Sequence, residues 1–512
     1  MLQTMALLVL RGFLGWLWCL RECASWCGAV VWRLLRRLVL VAGVLGVFGV
    51  FGVVVSARPA DAVGRPNVVL VLIDDMGWRD LESYGGGVFR TPNIDRIGGE
   101  GVRFSDAYAA CSVCAPTRAS LMTGRDPGRL HFTALTGHQE SLGNVDRNPT
   151  GIKLIQPAIT RGDGLQGPEM TLPKALREHG YRTALFGKTH FGSGHENLRE
   201  LGFDVAEEPR CDMWITPPAI VDGDPKRMTT ITSKSLAFID DALARGHPFF
   251  VYISHNAVHV QVQATQQAYD AAAARMTDAQ KRDYSIHYVA MVDELDREIG
   301  RLLDHLEQRG IAGRTLVIFT SDNGGVENVL SKNPYKLTVN DPLRGQKAGQ
   351  YEGATRVPLM VRWPGRIQPG RVLDEPVITM DFFPTILGAA GLPPRPRAHL
   401  DGRNLWPLLS GERDSLERDA LFWHKPHYYI KCPPMSAVRA GNFKYIHYWE
   451  RELSPHGGRK HELFDLENDP GESENLIDSM PGVADRLRGL LMRHLESTGA
   501  EIPRLNPEFR PR

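Results

Sequence analysis

Cys114 stands four positions before Arg118 in the run Cys111-Ser-Val-Cys-Ala-Pro-Thr-Arg-Ala-Ser-Leu-Met-Thr-Gly-Arg125. Pro116 lies between them and a helix start follows, so the thiol is predicted at a strand-to-helix corner. There it faces backbone N–H groups and a fixed positive charge, which suits an anion or a reaction that develops negative charge. Two acidic clusters belong to the same chemistry. Asp74-Asp75 closes the apolar run 67–73, and Asp322-Asn323 closes the run 316–320. Adjacent carboxylates repel one another unless a cation sits between them, and all-oxygen donors suit Ca²⁺ or Mg²⁺ better than zinc. Either cluster alone would more often be a helix or turn cap than a ligand. Two of them beside a Cys-x-Pro-x-Arg corner read as metal ligands.

Basic and imidazole groups follow other apolar runs: Gly187-Lys188-Thr-His190, then His255 to His259, then Arg344-Gly-Gln-Lys347. Lysines and histidines converging on one rim would neutralise an oxyanion such as sulfate or phosphate and supply acid–base groups. Any one of them could be a solvated surface charge or a satisfied core histidine. Their position after predicted strands lifts Lys188, His190 and His259 above that reading. Cys111 and Cys114 also form a Cys-x-x-Cys, open to a redox dithiol or half a zinc site. No second such pair completes the zinc set, and neither reading explains the acidic clusters. Further on, Trp423-His424-Lys-Pro-His427-Tyr-Tyr429 is rich in groups that stack on and bond to sugars. His424 and His427 are thus candidate substrate contacts, or equally part of a His/Tyr-rich strand and loop at a domain interface. Arg129, His131 and His138 are candidates for the pocket rim.

Strand and helix signals must position these groups. Short apolar runs at 67–73, 183–186, 249–253, 316–320 and 359–361 alternate with helical patterns at 171–179, 230–243, 278–308 and 381–390. That alternation predicts an α/β fold, with a large mostly parallel sheet sandwiched by helices. A Pro-rich seam near 391–417 separates a catalytic α/β part, 63–415, from a smaller part, 416–512, predicted as an antiparallel sheet plus one helix. Residues 1–62 read as an export leader: Arg33, Arg36 and Arg37 precede the apolar run 38–55, and Ala60-Asp-Ala62 follows as a cleavage pattern. The expected location is periplasmic or secreted, with an uncleaved leader as membrane anchor the alternative. That leader holds six arginines against two acidic residues. The remainder is near neutral, which gives no electrostatic reason for a nucleic-acid partner. Seven cysteines, three of them in the leader, are too few for a disulfide scaffold.

The segment Cys114-Ala-Pro-Thr-Arg118 with Leu121-Met-Thr-Gly-Arg125 resembles the signature of the type I, formylglycine-dependent sulfatases of the alkaline phosphatase superfamily. Asp74-Asp75, Gly187-Lys188-x-His190, Ser321-Asp-Asn-Gly-Gly325, Arg344-Gly-x-Lys347 and Leu463-Phe-Asp-Leu-Glu-Asn-Asp-Pro-Gly-Glu472 match in the family's order. The resemblance covers about residues 66 to 475. It implies that Cys114 is oxidised by a formylglycine-generating enzyme and that the aldehyde hydrates to a diol. One diol oxygen attacks sulfur and expels the alcohol; the other loses its proton, and collapse to the aldehyde releases sulfate. The resemblance further implies a calcium ion, with magnesium the alternative, on Asp74, Asp75, Asp322, Asn323 and the modified Cys114. Arg118 would hold the diol and His190 would move its proton. Lys188 and Lys347 would bind sulfate oxygens, and His259 with Lys347 would protonate the leaving alcohol. Thr117, Thr189, Val258 and Ala354 depart from the commoner Ser, Trp, Pro and Gly, which touches the shape of the pocket more than its charges. The implied substrate is a sulfated polysaccharide or glycan. Hydrolysis of a phosphonate or phosphodiester is the runner-up, and a silent glycan-binding protein is a third reading.

Overall fold

Asn67–Ile73 (β1) is buried at every residue, and its side chains divide by parity. Val69, Val71 and Ile73 enter one apolar layer; Val68, Leu70 and Leu72 enter the other. A run without polar alternation is what a strand covered on both faces requires. The computed structural model describes residues 64–134, 164–165, 169–191, 196–211, 218–327, 336–395, 401–429, 432–453 and 459–507. The leader and His138 lie outside them. Among the described residues no helix is long and apolar enough to cross a membrane.

Seven strands join β1 in one sheet: β2 (Val102–Phe104), β3 (Arg182–Gly187), β4 (Val205–Glu207), β5 (Phe249–Ser254), β6 (Thr315–Ser321), β7 (Leu359–Arg362) and β8 (Arg371–Leu373). Their order is β8-β2-β7-β6-β1-β5-β3-β4. Only β7 runs against its neighbours; every other pairing is parallel. Helices α1 (Pro92–Gly99), α4 (Met228–Ala244) and α5 (Ile286–Gln308) cover one face. Helices α2 (Cys114–Thr123), α3 (Leu172–Arg177) and α6 (Phe382–Ala389) cover the other. On α5, Val292, Leu295, Ile299 and Leu302 recur at three-to-four spacing and all are buried. Each such side chain contributes roughly 1.5–3 kcal/mol by leaving water.

The helical pattern at 278–308 predicts one helix, but the structure breaks it in two. Asp278–Asp283 ends at Tyr284, and α5 begins after Ser285, both of which are extended. The Ser285 amide donates to the Lys336 carbonyl, and Tyr284 bridges the same residue. A long-range backbone pairing therefore outweighs local helix propensity.

The C-terminal part forms an antiparallel sheet of β9 (Leu421–Lys425), β10 (Met435–Ala440), β11 (Phe443–Tyr448) and β12 (His461–Asp465), in that order. A short helix α7 (Trp449–Leu453) follows β11, and α8 (Pro481–Thr498) packs Leu487, Leu491 and Leu495 on Val438, Tyr445 and Leu463. The opposite face carries Trp423, Ala437, Ile446 and Phe464 against Tyr108, Ala110 and Ile378. Arg65 to Arg512 is one compact unit.

Candidate active site

Strands β6, β1, β5 and β3 are consecutive and parallel, so their carboxyl ends share one rim. Register brings Ile73 level with Ser321, Leu72 level with Ser254, and Gly187 level with Ser254. The next residues along each strand are Asp74, Asp322, His255 and Lys188, so the sheet itself aligns them. Gly187 is obligatory at this turn: its φ is +106°, and a Cβ would stand 1.8 Å from the Ser254 carbonyl oxygen.

Arg118 enters from α2 and is fully buried. Its guanidinium donates from Nε and Nη2 to Asp322 Oδ2 at 2.9 and 2.7 Å, and from Nη1 to the Lys188 carbonyl at 3.1 Å and to Ser254 Oγ. Tyr252 and Ser254, two polar side chains spaced by two in the apolar β5, face this arginine. That period-two polarity is the signal that would have singled them out in the sequence.

Cys114 begins α2, with Sγ 3.3 Å from His190 Nδ1. Burial pushes its thiol up, only partly offset by Lys188 and Lys347. Burial pushes Cys111 up as well, to about 12. Both shifts run opposite to the lowered values of a reactive Cys-x-x-Cys pair. Among the described residues, no cysteine belongs to a group of potential metal ligands. Burial, then Lys188 and Arg118, hold His190 well below the usual imidazole range, so its ring is neutral.

Lys188 Nζ donates to Asp74 Oδ2 at 2.5 Å, and Lys347 Nζ to Asp75 Oδ1 at 2.5 Å. His259 Nε2 lies 3.5 Å from Asp75 Oδ2. Burial alone would raise the two carboxyls. Lys188, His259 and Arg118 instead hold Asp74 well below its ordinary value, and Lys347 and His259 do the same for Asp75. Asp322 is raised, because burial outweighs Arg118. Asn323 Nδ2 donates to Asp75 Oδ1 at 2.8 Å. Three oxygens remain buried without any hydrogen-bond partner: Asp74 Oδ1, Asp75 Oδ2 and Asn323 Oδ1. Orphaned acceptors of this kind are costly unless a cation satisfies them. The oxygen-only donor set fits a hard divalent ion. Asp75 and His190 also hold positive φ, 65° and 52°, so both side chains are aimed by a backbone conformation that costs about 1–3 kcal/mol.

Asp74, Asp75, Cys114, Arg118, Lys188, His190, His259, Asp322, Asn323 and Lys347 are thus brought together. His424 and His427 are not. The His424 ring is bonded to Ser436 Oγ at 2.7 Å and to the Glu501 carbonyl at 2.9 Å, and His427 Nε2 to Thr133 Oγ1 at 2.8 Å. From the same stretch it is Tyr429 that approaches the site: Lys347 and Cys114 act on its hydroxyl, and it packs by Cys111 and Val113. Beside His190 a cavity of about 680 Å³ is lined by Glu208, Arg210, Asp224, Lys226 and Asn256. The Asn256 Nδ2 there is buried without a partner. These residues come from loops beyond β4 and β5 and ahead of α4, where no periodic pattern marks them.

Residues 66–392 match the sulfatase family profile, and residues 346–497 match the C-terminal profile of N-sulphoglucosamine sulphohydrolase. The N-acetylgalactosamine-6-sulfatase of Sus scrofa is 30% identical, over 86% of this chain and 88% of its own. Arylsulfatase A of Bos taurus is 31% identical, over 83% and 85%. Among solved structures, that of Ps i-CgsB in complex with k-i-k-neocarrahexaose superposes with a TM-score of 0.68 at 25% identity, over 85% of this chain and 92% of that one. The family profile spans all four strands whose ends carry the buried charges, and the chain belongs to the sulfatase family of the alkaline phosphatase superfamily.

Proposed function

We propose that this sulfatase removes sulfate from a sulfated polysaccharide or glycan fragment in an exported compartment, with Cys114 as precursor of the nucleophile. The observation that carries the reading is the Cys114 thiol at a helix start, 3.3 Å from a neutral His190 and among two lysines and three orphaned oxygens. A thiol raised by burial is a poor nucleophile. Conversion to formylglycine by a formylglycine-generating enzyme would supply a diol, one hydroxyl to attack and the other to open an exit for sulfate.

Asp74, Asp75, Asp322 and Asn323 would hold Ca²⁺, with Mg²⁺ the alternative. Such an ion lowers the pKa of a bound hydroxyl and polarises a sulfate oxygen. Arg118, clamped by Asp322 and Ser254, holds the attacking group in one orientation. His190 accepts its proton. Lys188 and Lys347 bind sulfate oxygens where negative charge develops. His259 and Lys347 give a proton to the departing alcohol. The cavity next to His190 takes the sugar, and its mixed charges suit hydroxyls and a second anionic substituent. The relatives favour a carbohydrate: one is named for N-acetylgalactosamine 6-sulfate, and a solved neighbour is bound to neocarrahexaose. Residues 63–415 would carry the chemistry, while 416–512 would close one wall through Tyr429.

Two measurements test this. Peptide mass spectrometry of active protein, co-produced with the maturation enzyme, should show the Cys114 thiol replaced by an aldehyde; an intact thiol in active protein would sink the nucleophile. Sulfate release from defined sulfated oligosaccharides should exceed turnover of a matched phosphate diester, and the reverse would select the phosphodiesterase reading.

A further inference from the structure

The last two strands of the C-terminal sheet bring together three ligand-type side chains that take no part in the site above. His447 on β11 and His461 on β12 are partners across the sheet, with ring centroids 5.0 Å apart. Glu452 on α7 reaches back to both. Its Oε2 lies 3.6 Å from His447 Nε2 and 3.6 Å from His461 Nε2. All three donor atoms fall within 4.8 Å of one another.

These separations are too long for good hydrogen bonds. They match two ligands of one first-row ion: donors each about 2.0–2.1 Å from zinc, at a tetrahedral angle, stand roughly 3.4 Å apart. His447 Nε2 and Glu452 Oε2 are both buried without a hydrogen-bond partner, and the His447 side chain is only 1% exposed. An imidazole nitrogen and a carboxylate oxygen that face each other unbonded leave each other's lone pairs unmet. A cation between them removes that cost.

The surrounding groups hold the donors in the form a metal needs. Tyr445 Oη stands 2.9 Å from His461 Nδ1 and 3.5 Å from His447 Nδ1. A phenol oxygen accepting from Nδ1–H leaves the lone pair on Nε2, turned toward Glu452. Arg488 Nη2 lies 3.3 Å from Glu452 Oε1 and so leaves Oε2 for the histidines. Trp449 packs against His447, with the rings tilted by 58° and their centroids 4.2 Å apart. His461 and Glu452 are partly exposed, so an ion can enter from solvent.

We propose that His447, Glu452 and His461 form a second metal site, of the zinc type, which ties α7 and β12 to β11. Two imidazole nitrogens and one carboxylate oxygen prefer Zn²⁺ or a similar first-row ion, while the oxygen set at the strand ends prefers Ca²⁺. A fourth position stays open to water. The two sites thus select different metals by donor chemistry alone.

The test uses the full chain, stripped of metal and held in excess Ca²⁺, titrated with Zn²⁺ or Co²⁺ in equilibrium dialysis. Wild-type protein should bind one equivalent per chain, with the visible absorption of four-coordinate Co²⁺, and its melting temperature should rise. His461→Ala and Glu452→Gln should each weaken binding about 100-fold, and Tyr445→Phe about 10-fold, with sulfate release in Ca²⁺ unchanged. No binding by wild type would overturn the site, as would equal affinity in wild type and His461→Ala. His461→Gln, a milder change at a partly exposed position, gives the same reading if the alanine variant misfolds.

Discussion

Two clusters of buried charge in this molecule are built from the same residue types but finished differently. At the strand ends, Asp74, Asp75 and Asn323 each keep an oxygen with no partner. Where the C-terminal sheet meets the Glu352–Thr355 turn, nearly all the carboxylate oxygens are filled. Glu352 takes Lys444 at 2.8 Å, Arg356 at 2.6 Å and the Tyr108 hydroxyl at 2.7 Å, and Asp106 takes Arg439 and Arg356. Glu472 Oε2 accepts from the Glu352 amide at 2.7 Å, while its Oε1, 3.5 Å from Lys444 Nζ, is the one carboxylate oxygen of this network left without a hydrogen bond. A network satisfied almost entirely by its own cations joins two parts of a fold; one that leaves several acceptors open around one point is arranged for something that arrives later. Burial of charge alone therefore does not mark a catalytic site. Orphaned oxygens converging beside the Cys114 thiol do.

The largest expected effect separates the clusters by what is lost. Cys114→Ala should lower turnover of a sulfate ester by about 10⁴-fold or more, with the urea midpoint nearly unchanged. A large fall in stability would mean that the strand-end cluster also holds the fold. Glu352→Ala should do the opposite, costing about 3–5 kcal/mol of stability because Lys444 and Arg356 lose their shared partner. Denaturant unfolding measures this, and the folded fraction should retain its turnover rate; a pure activity defect at full stability would erase the distinction. The smallest effect concerns pH. Burial, and Glu352 beside it, raise the Glu472 carboxyl from 4.5 to about 8. Between those values the native state holds a proton that the unfolded chain has released, so stability falls as pH rises through the window. Glu472→Gln is neutral throughout and should gain on wild type by at most about 1.4 kcal/mol per pH unit there. Melting curves at several pH values check this, and parallel pH profiles would refute the shared-lysine account.

Much of the strand-end cluster is legible in the chain because each of its strands is a short apolar run closed by a charge. Observed bounds differ from the predicted runs by one residue at most: 249–253 is Phe249–Ser254, and 359–361 is Leu359–Arg362. The antiparallel course of β7 is not legible, since an apolar run carries no direction. Strands β2, β4 and β8, three residues each, are too short for a period to show. His424 and His427 illustrate the same limit for side chains. Their composition suits a sugar contact, yet Ser436, Glu501 and Thr133 occupy their nitrogens from 12, 77 and 294 positions away. Tyr429, two residues on, faces Lys347 instead.

By itself, then, the sequence determined the chemical inventory and its order: which carboxylates, cations and imidazoles end which strands, and that Cys114 starts a helix four residues before Arg118. Those are local properties, set by periodicity and by what each side chain can donate or accept. Only the tertiary structure decided which of the buried groups are satisfied. A hydrogen bond depends on a partner's position in space, and Asp75 meets Asp322 and Lys347 from 247 and 272 residues away. That accounting separates the orphaned oxygens of the strand ends, and the unmet His447 Nε2 and Glu452 Oε2, from the many buried polar groups that are paired and only hold the fold together.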